Sequence, residues 1–147
     1  MGPLPSAQLG KSGRATSSVL SFAAVAKILF CEDNPTIIKL IRVAMRDSGH
    51  EVYFADDGAS GLRAARSLKP DLLVTDLAMP NVNGLELYDA IRADPVLGNL
   101  PIAFLTASTQ RNLVVEAQAR SPIAILAKPF SPAGLRADLD RILASRG

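Results

Sequence analysis

At 147 residues, the chain has the length of one compact domain built around a single hydrophobic core. Its hydrophobic fraction of 48% and charged fraction of 20% are ordinary for a soluble globular protein, and no apolar stretch is long enough to span a bilayer. The net charge of +2 comes from Lys11 and Arg14, because 14 basic and 14 acidic residues balance from Lys27 onward, so charge gives no sign of a nucleic-acid surface.

The first 26 residues precede the predicted domain, which runs over residues 27–147. Glycine, proline and serine are frequent in residues 2–13, so this stretch is a poor former of helix or strand. Residues 18–26 have the form of a weak secretory signal, but they lead into the first strand without a spacer. We therefore predict a disordered tail or an addition to the natural chain. The single cysteine, Cys31, allows no intrachain disulfide and fits a reducing compartment, the cytoplasm.

From residue 27 onward, short apolar runs alternate with amphipathic stretches. Residues 27–31 have the pattern of a strand, and Asn34 followed by Pro35 then predicts the start of a helix. Apolar residues at a spacing of four give that helix one buried face. Residues 51–55 predict a second strand, Asp57 and Gly58 a turn, and residues 59–68 a second helix.

The second half of the chain continues the alternation. Residues 71–76, 101–106 and 122–127 predict strands three to five, and the third strand is apolar on both faces and therefore central. Leu85, Tyr88 and Ile91 mark a third helix, residues 110–119 a fourth, and a fifth begins at Ser131-Pro132. Such alternation predicts a parallel sheet covered on both faces, and right-handed crossovers leave few topologies. We expect a doubly wound five-stranded α/β sheet in the order 2-1-3-4-5.

In this architecture, ligands bind beyond the carboxyl ends of the strands, where strands 1 and 3 diverge. The polar residues at those ends are Glu32 and Asp33, Asp76, Thr106 and Lys128. Three carboxylates in one pocket repel unless a cation compensates them, and Mg²⁺ prefers carboxylate, water and phosphate oxygens. A carboxylate can also act as a nucleophile and form an acyl phosphate. Asp76 ends the central strand and is the best placed of the three, so it is the predicted phosphoryl acceptor. Mg²⁺, the Lys128 ammonium and the Thr106 hydroxyl would each hold one phosphoryl oxygen.

Four short motifs resemble those of the receiver domains of two-component response regulators, and the resemblance covers residues 27–147. They are ED after strand 1 (residues 32–33), DLAMPNVNG from the end of strand 3 (residues 76–84), TA after strand 4 (residues 106–107) and KPF after strand 5 (residues 128–130). Each motif alone is weak, but four in order on the right strand ends are highly specific. The family shares the 2-1-3-4-5 order, so the two expectations are not independent.

The resemblance implies a phosphorelay protein that is a switch rather than a turnover enzyme. A histidine kinase or histidine phosphotransfer protein would phosphorylate Asp76 with Mg²⁺ bound, and the backbone carbonyl of Ala78 would join the three carboxylates as a metal ligand. Thr106 would move toward the phosphoryl group and alter the face formed by helix 4, strand 5 and helix 5. Downstream proteins, or a second copy of the chain, bind such a face in the family. In the family, the peptide bond that corresponds to Lys128–Pro129 is often cis.

Two departures from the family pattern leave an alternative open. Ile125 stands where the family has tyrosine, phenylalanine or histidine, and residues 120–122 replace the usual Gly-Ala step. Both favour a pseudo-receiver that binds partners without phosphorylation, whereas the complete acidic site argues against one. The sequence disfavours a hydrolase of the haloacid dehalogenase type, because that class needs a second aspartate where this chain has Ala78. An FMN binder needs a phosphate loop where Glu32 and Asp33 would repel phosphate.

Overall fold

The computed structural model describes residues 25–107, 109 and 111–145. Within these ranges, five strands alternate with five helices. In chain order they are β1 (Lys27–Cys31), α1 (Pro35–Met45), β2 (Glu51–Ala55), α2 (Gly58–Leu68), β3 (Leu72–Asp76), α3 (Gly84–Ala93), β4 (Ile102–Ala107), α4 (Arg111–Ala119), β5 (Ala124–Lys128) and α5 (Pro132–Ser145). The predictions for the tail up to residue 24 lie outside the described residues, as does the predicted start of the fourth helix at Gln110.

The five strands form one parallel sheet in the order β2-β1-β3-β4-β5, which confirms the predicted topology. Thr75 of β3 pairs with Cys31 of β1, and Lys128 of β5 pairs with Ala107 of β4. The carboxyl ends of these four strands therefore reach the same edge of the sheet. This edge brings together residues that are up to 96 positions apart in the chain.

The boundaries of some elements differ from the predicted ones. β3 begins one residue later, at Leu72. β4 begins one residue later and β5 two residues later, because Pro101 and Pro122 carry no N–H for the ladder. The predicted turn at Asp57 and Gly58 is wrong. The Asp57 carboxylate accepts the N–H of Ser60 at 2.7 Å and caps α2, and Gly58 is the first residue of that helix.

Two apolar layers pack on the two faces of the sheet. Leu29 and Cys31 of β1 face the helices α2, α3 and α4, whereas Ile28 and Phe30 face α1 and α5. β3 is buried along its whole length, as the predicted central strand requires. In the described part of the chain, no helix combines the length and apolar character needed to cross a bilayer.

The Cys31 thiol is predicted to be unreactive in the folded protein. Its side chain is buried, and burial is the main cause that raises the pKa of the thiol from 9.0 to about 12. Three pKa units correspond to roughly a thousand-fold less thiolate, the form that reacts with alkylating agents. Iodoacetamide at pH 8 should therefore modify the urea-unfolded chain at least ~100-fold faster than the native one. Equal rates in the two states would contradict the burial of this residue.

Candidate functional site

Three carboxylates meet where β1 and β3 end. One oxygen each from Glu32, Asp33 and Asp76 lies within 4.8 Å of the other two. Glu32 is 1% exposed and Asp76 is 8% exposed, whereas Asp33 is open to solvent. Two of the three negative charges are thus largely removed from water and need compensation by nearby positive charge.

Lys128 brings that positive charge from the end of β5. Its Nζ lies 2.9 Å from Oε1 of Glu32 and 3.1 Å from Oδ2 of Asp76, and its side chain is 14% exposed. Burial raises the pKa of Glu32, although the hydrogen bond and charge of Lys128 oppose the shift. Burial acts to lower the pKa of Lys128, but Glu32 and Asp76 outweigh it and the pKa is raised. The ammonium therefore stays charged at neutral pH.

The local backbone orients the carboxylates. The Asn34 N–H donates to Oε2 of Glu32 at 3.1 Å, and the Ala78 N–H donates to Oδ1 of Asp76 at 3.3 Å. Asn34 also caps α1 through its side chain, so the helix starts directly beside the acidic pair. The backbone fixes one oxygen of each buried carboxylate, and the other oxygen of each faces Lys128.

The donor set of the site fits a divalent cation. Among the described residues, Oε1 of Glu32 is one of two buried side-chain polar atoms without a hydrogen bond of good geometry. Its ionic contact with Lys128 leaves a lone pair that a cation can use. Mg²⁺ prefers carboxylate oxygens and retained waters, and the exposed Asp33 leaves the cluster open to water on one side. Glu32, Asp33 and Asp76 are therefore residues that could hold the ion together.

Thr106 lies at the same edge of the sheet but is differently engaged. It is 5% exposed and pairs in register with Ala127, next to Lys128. Its hydroxyl donates to the carbonyl of Ala107 at 3.3 Å, within its own strand. Thr106 would have to exchange this bond before its hydroxyl could hold a phosphoryl oxygen. The Lys128–Pro129 peptide is cis, in agreement with the family expectation.

The loop after Asp76 is held by contacts that the motif analysis missed. The Gly58 N–H donates to the carbonyl of Val82 at 3.0 Å, and the side chain of Asn81 hydrogen-bonds to Asp57. The Ser60 N–H, Ser60 hydroxyl and Asn81 bonds together hold the pKa of Asp57 below its usual value. The start of α2 therefore supports the loop that carries Ala78. The sequence signal for this contact is the Asp57-Gly58 pair, which occurs at helix starts as well as in turns.

Comparison with known proteins identifies the group to which this geometry corresponds. The family model described as "Response regulator receiver domain" matches residues 28–140. Chemotaxis protein CheY-3 of Vibrio cholerae is 35% identical over 117 residues, which span 79% of this chain and 90% of that protein. Chemotaxis protein CheY of Pseudomonas aeruginosa is also 35% identical over 117 residues, which cover 79% of this chain and 94% of the relative.

Solved structures agree with the sequence comparisons. The chemotaxis response regulator CheY4 of Vibrio cholerae superimposes with a TM-score of 0.73 at 31% identity, covering 81% of this chain and 99% of that one. The receiver domain of sensor histidine kinase PA1611 from Pseudomonas aeruginosa gives a TM-score of 0.74 at 30% identity, covering 82% and 99%. That structure has a magnesium ion coordinated in the active-site cleft.

Proposed function

The chain belongs to the response regulator receiver family of two-component signalling, and we propose that it is a stand-alone receiver whose Asp76 accepts a phosphoryl group. The observation that carries the proposal is the Lys128 ammonium, 3.1 Å from Asp76 within a cluster of three carboxylates. The stand-alone character is supported by the single-domain length of the two chemotaxis relatives, of which 90% and 94% are covered. We place the receiver domain at residues 27–147 and its action in the cytoplasm.

In the proposed reaction, an Asp76 carboxylate oxygen attacks phosphorus while the bond to the donor atom breaks. The electron pair of that bond leaves with the histidine nitrogen of a kinase or phosphotransfer protein, and an acyl phosphate forms on Asp76. Lys128 is held beside Asp76 and can neutralise one phosphoryl oxygen, and Thr106 can donate to another. Bound Mg²⁺ would supply further positive charge at the phosphoryl oxygens. The proposed ligands are Glu32, Asp33, Asp76 and the backbone carbonyl of Ala78.

The proposed output is a change in the face formed by α4, β5 and α5, which follows from the movement of Thr106. This face would bind a downstream protein, and a second copy of the chain could use it to form a homodimer. Such a domain assists only its own phosphorylation and dephosphorylation and is not a turnover enzyme. It would contact neither nucleic acid nor membrane directly. Ile125, which cannot act as the family's aromatic, favours the phosphorylation-independent pseudo-receiver as the alternative.

Intact-protein mass after incubation with acetyl phosphate tests the proposal. Wild type with Mg²⁺ should gain one phosphoryl group, and omission of Mg²⁺ or the substitution Asp76→Asn should abolish the gain. Asp56→Asn is the matched control, because this exposed aspartate follows β2 at the same end of the sheet but lies outside the carboxylate cluster. An unlabelled wild type, under conditions that label another receiver, would favour the pseudo-receiver.

A further inference from the structure

Three residues fasten the end of α4 to α3. They are Tyr88, Asp89 and Arg120, here called the α3–α4 clamp. The Arg120 guanidinium donates from Nε to Oδ1 of Asp89 at 2.9 Å and from Nη2 to Oδ2 at 2.8 Å. The Tyr88 hydroxyl donates to the backbone carbonyl of Arg120 at 2.7 Å. Helix α3 therefore holds both the side chain and the main chain of Arg120, the first through a bidentate ion pair.

The clamp lies where the chain turns from α4 into β5, over residues 120–123, here called the α4–β5 connection. Ser121 has φ +52°, a left-handed conformation that residues with a Cβ rarely adopt. Its N–H donates to the carbonyl of Gln118 at 3.1 Å, and the Ile123 N–H then donates to Ile102 of β4 at 2.9 Å. The clamp thus supports a strained turn that sets the path of the chain into β5.

The clamp also contacts the strand that carries Thr106. Tyr88 is 7% exposed, and its ring packs on that of Phe104 with the centroids 5.7 Å apart. Phe104 lies two residues before Thr106 on β4 and pairs in register with Ile125. Tyr88 therefore places an aromatic ring and a hydroxyl beside the β4–β5 pair. Ile125, on β5 itself, has neither group. A shift of β4 at Thr106 can therefore reach Arg120 through the packing of Phe104 on Tyr88 and the hydrogen bond from Tyr88 to Arg120.

We propose that the α3–α4 clamp stabilises the arrangement of the α4–β5 connection that accompanies the unphosphorylated site, so that phosphoryl binding at Asp76 works against it. The inference rests on the proposed function. In the structure, the clamp is closed while the Thr106 hydroxyl is engaged with Ala107. A restraint that favours one of two arrangements lowers the affinity of any ligand that binds the other. Weakening the clamp therefore raises the affinity for a phosphoryl mimic.

Calorimetric titration of the full chain with beryllium fluoride, a mimic of the phosphoryl group, in the presence of Mg²⁺ tests the clamp. Asp89→Asn and Tyr88→Phe should each raise the affinity roughly two- to five-fold, the range expected for a partly exposed polar contact. Arg66→Gln is the matched control, because it breaks an exposed ion pair that joins α2 to Asp94 at the end of α3, outside the α4–β5–α5 face. This control should leave the affinity unchanged.

Urea unfolding of the same variants separates a restraint from simple structural support. A residue that only supports the fold loses stability and affinity together, whereas the clamp variants should lose stability and gain affinity. Tyr88→Phe removes a single oxygen, so it remains informative if Asp89→Asn does not fold. If wild type binds beryllium fluoride but the folded clamp variants bind it with unchanged or lower affinity, the inference is overturned. A wild type that does not bind beryllium fluoride would instead overturn the proposed phosphoryl site, and the clamp proposal with it.

Discussion

Replacement of Lys128 by methionine is expected to destabilise the fold by about 3 kcal/mol at neutral pH, because it leaves the buried Glu32 carboxylate without its counter-charge. Glu32 is 1% exposed, and Lys128 is its ion-pair partner at 2.9 Å. Methionine has nearly the same shape as the lysine stem, so the loss reports charge rather than packing. Urea denaturation without divalent cations measures it. Mg²⁺ should reduce the loss, since a bound cation replaces part of the missing charge.

A double-mutant cycle sharpens this prediction. Glu32→Gln in the Lys128→Met background should restore part of the lost stability, because Glu32 then carries no uncompensated charge, whereas Asp76 still lacks its lysine partner. Lys39→Met is the control, since Lys39 is an exposed lysine on α1. If Lys128→Met costs no more than this control, the ion pair at the centre of the site does not exist as described.

The substitution Gly84→Ala should have an effect of similar size and for a purely steric reason. A Cβ at Gly84 would lie 2.2 Å from the backbone oxygen of Asp76 and 3.0 Å from Cα of Leu77. These are backbone atoms at the end of the central strand, so neither can turn aside. We expect a loss of about 2–4 kcal/mol in the free energy of unfolding. Because the nearest of these atoms is the backbone oxygen of Asp76, phosphoryl acceptance should fall as well.

Gly134→Ala provides the matched comparison, because both glycines lie in the first turn of a helix. The Cβ at Gly134 would meet only the Ser131 hydroxyl, a side-chain atom, at 2.9 Å. This variant should change stability by less than about 1 kcal/mol, since alanine is the better helix former. Equal effects of the two substitutions would show that the close approach of α3 to Asp76 does not constrain the site.

The sequence alone was sufficient to predict the topology and the convergence of polar strand-end residues at one edge of the sheet. Strict alternation of strands and helices leaves few parallel sheets, and the polar residues Glu32, Asp76 and Lys128 stand where strands end. In the structure these three residues are in mutual contact through Lys128. This part was predictable because strand-end positions in a parallel sheet converge whatever the details of packing.

Contacts that depend on side-chain direction or helix packing were not predictable. The pairing of Asp89 with Arg120 joins residues 31 positions apart and requires the relative placement of α3 and α4. The hydroxyl of Thr106 donates a hydrogen bond to the carbonyl of Ala107. The motif predicts that Thr106 lies beside the phosphoryl group, but it does not predict this bond. An Asp-Gly pair occurs in turns and at helix starts alike, so Asp57 was assigned to the wrong one.

The most direct test of the central claim is to locate the modified residue. Borohydride reduces an acyl phosphate to an alcohol, so a phosphorylated aspartate becomes homoserine, which tandem mass spectrometry can place in a peptide. After treatment with acetyl phosphate and Mg²⁺, homoserine is expected at position 76 and at no other aspartate. Homoserine at Asp33 or another residue, or a labelled protein with Asp76 intact, would contradict the assignment of Asp76 as the phosphoryl acceptor.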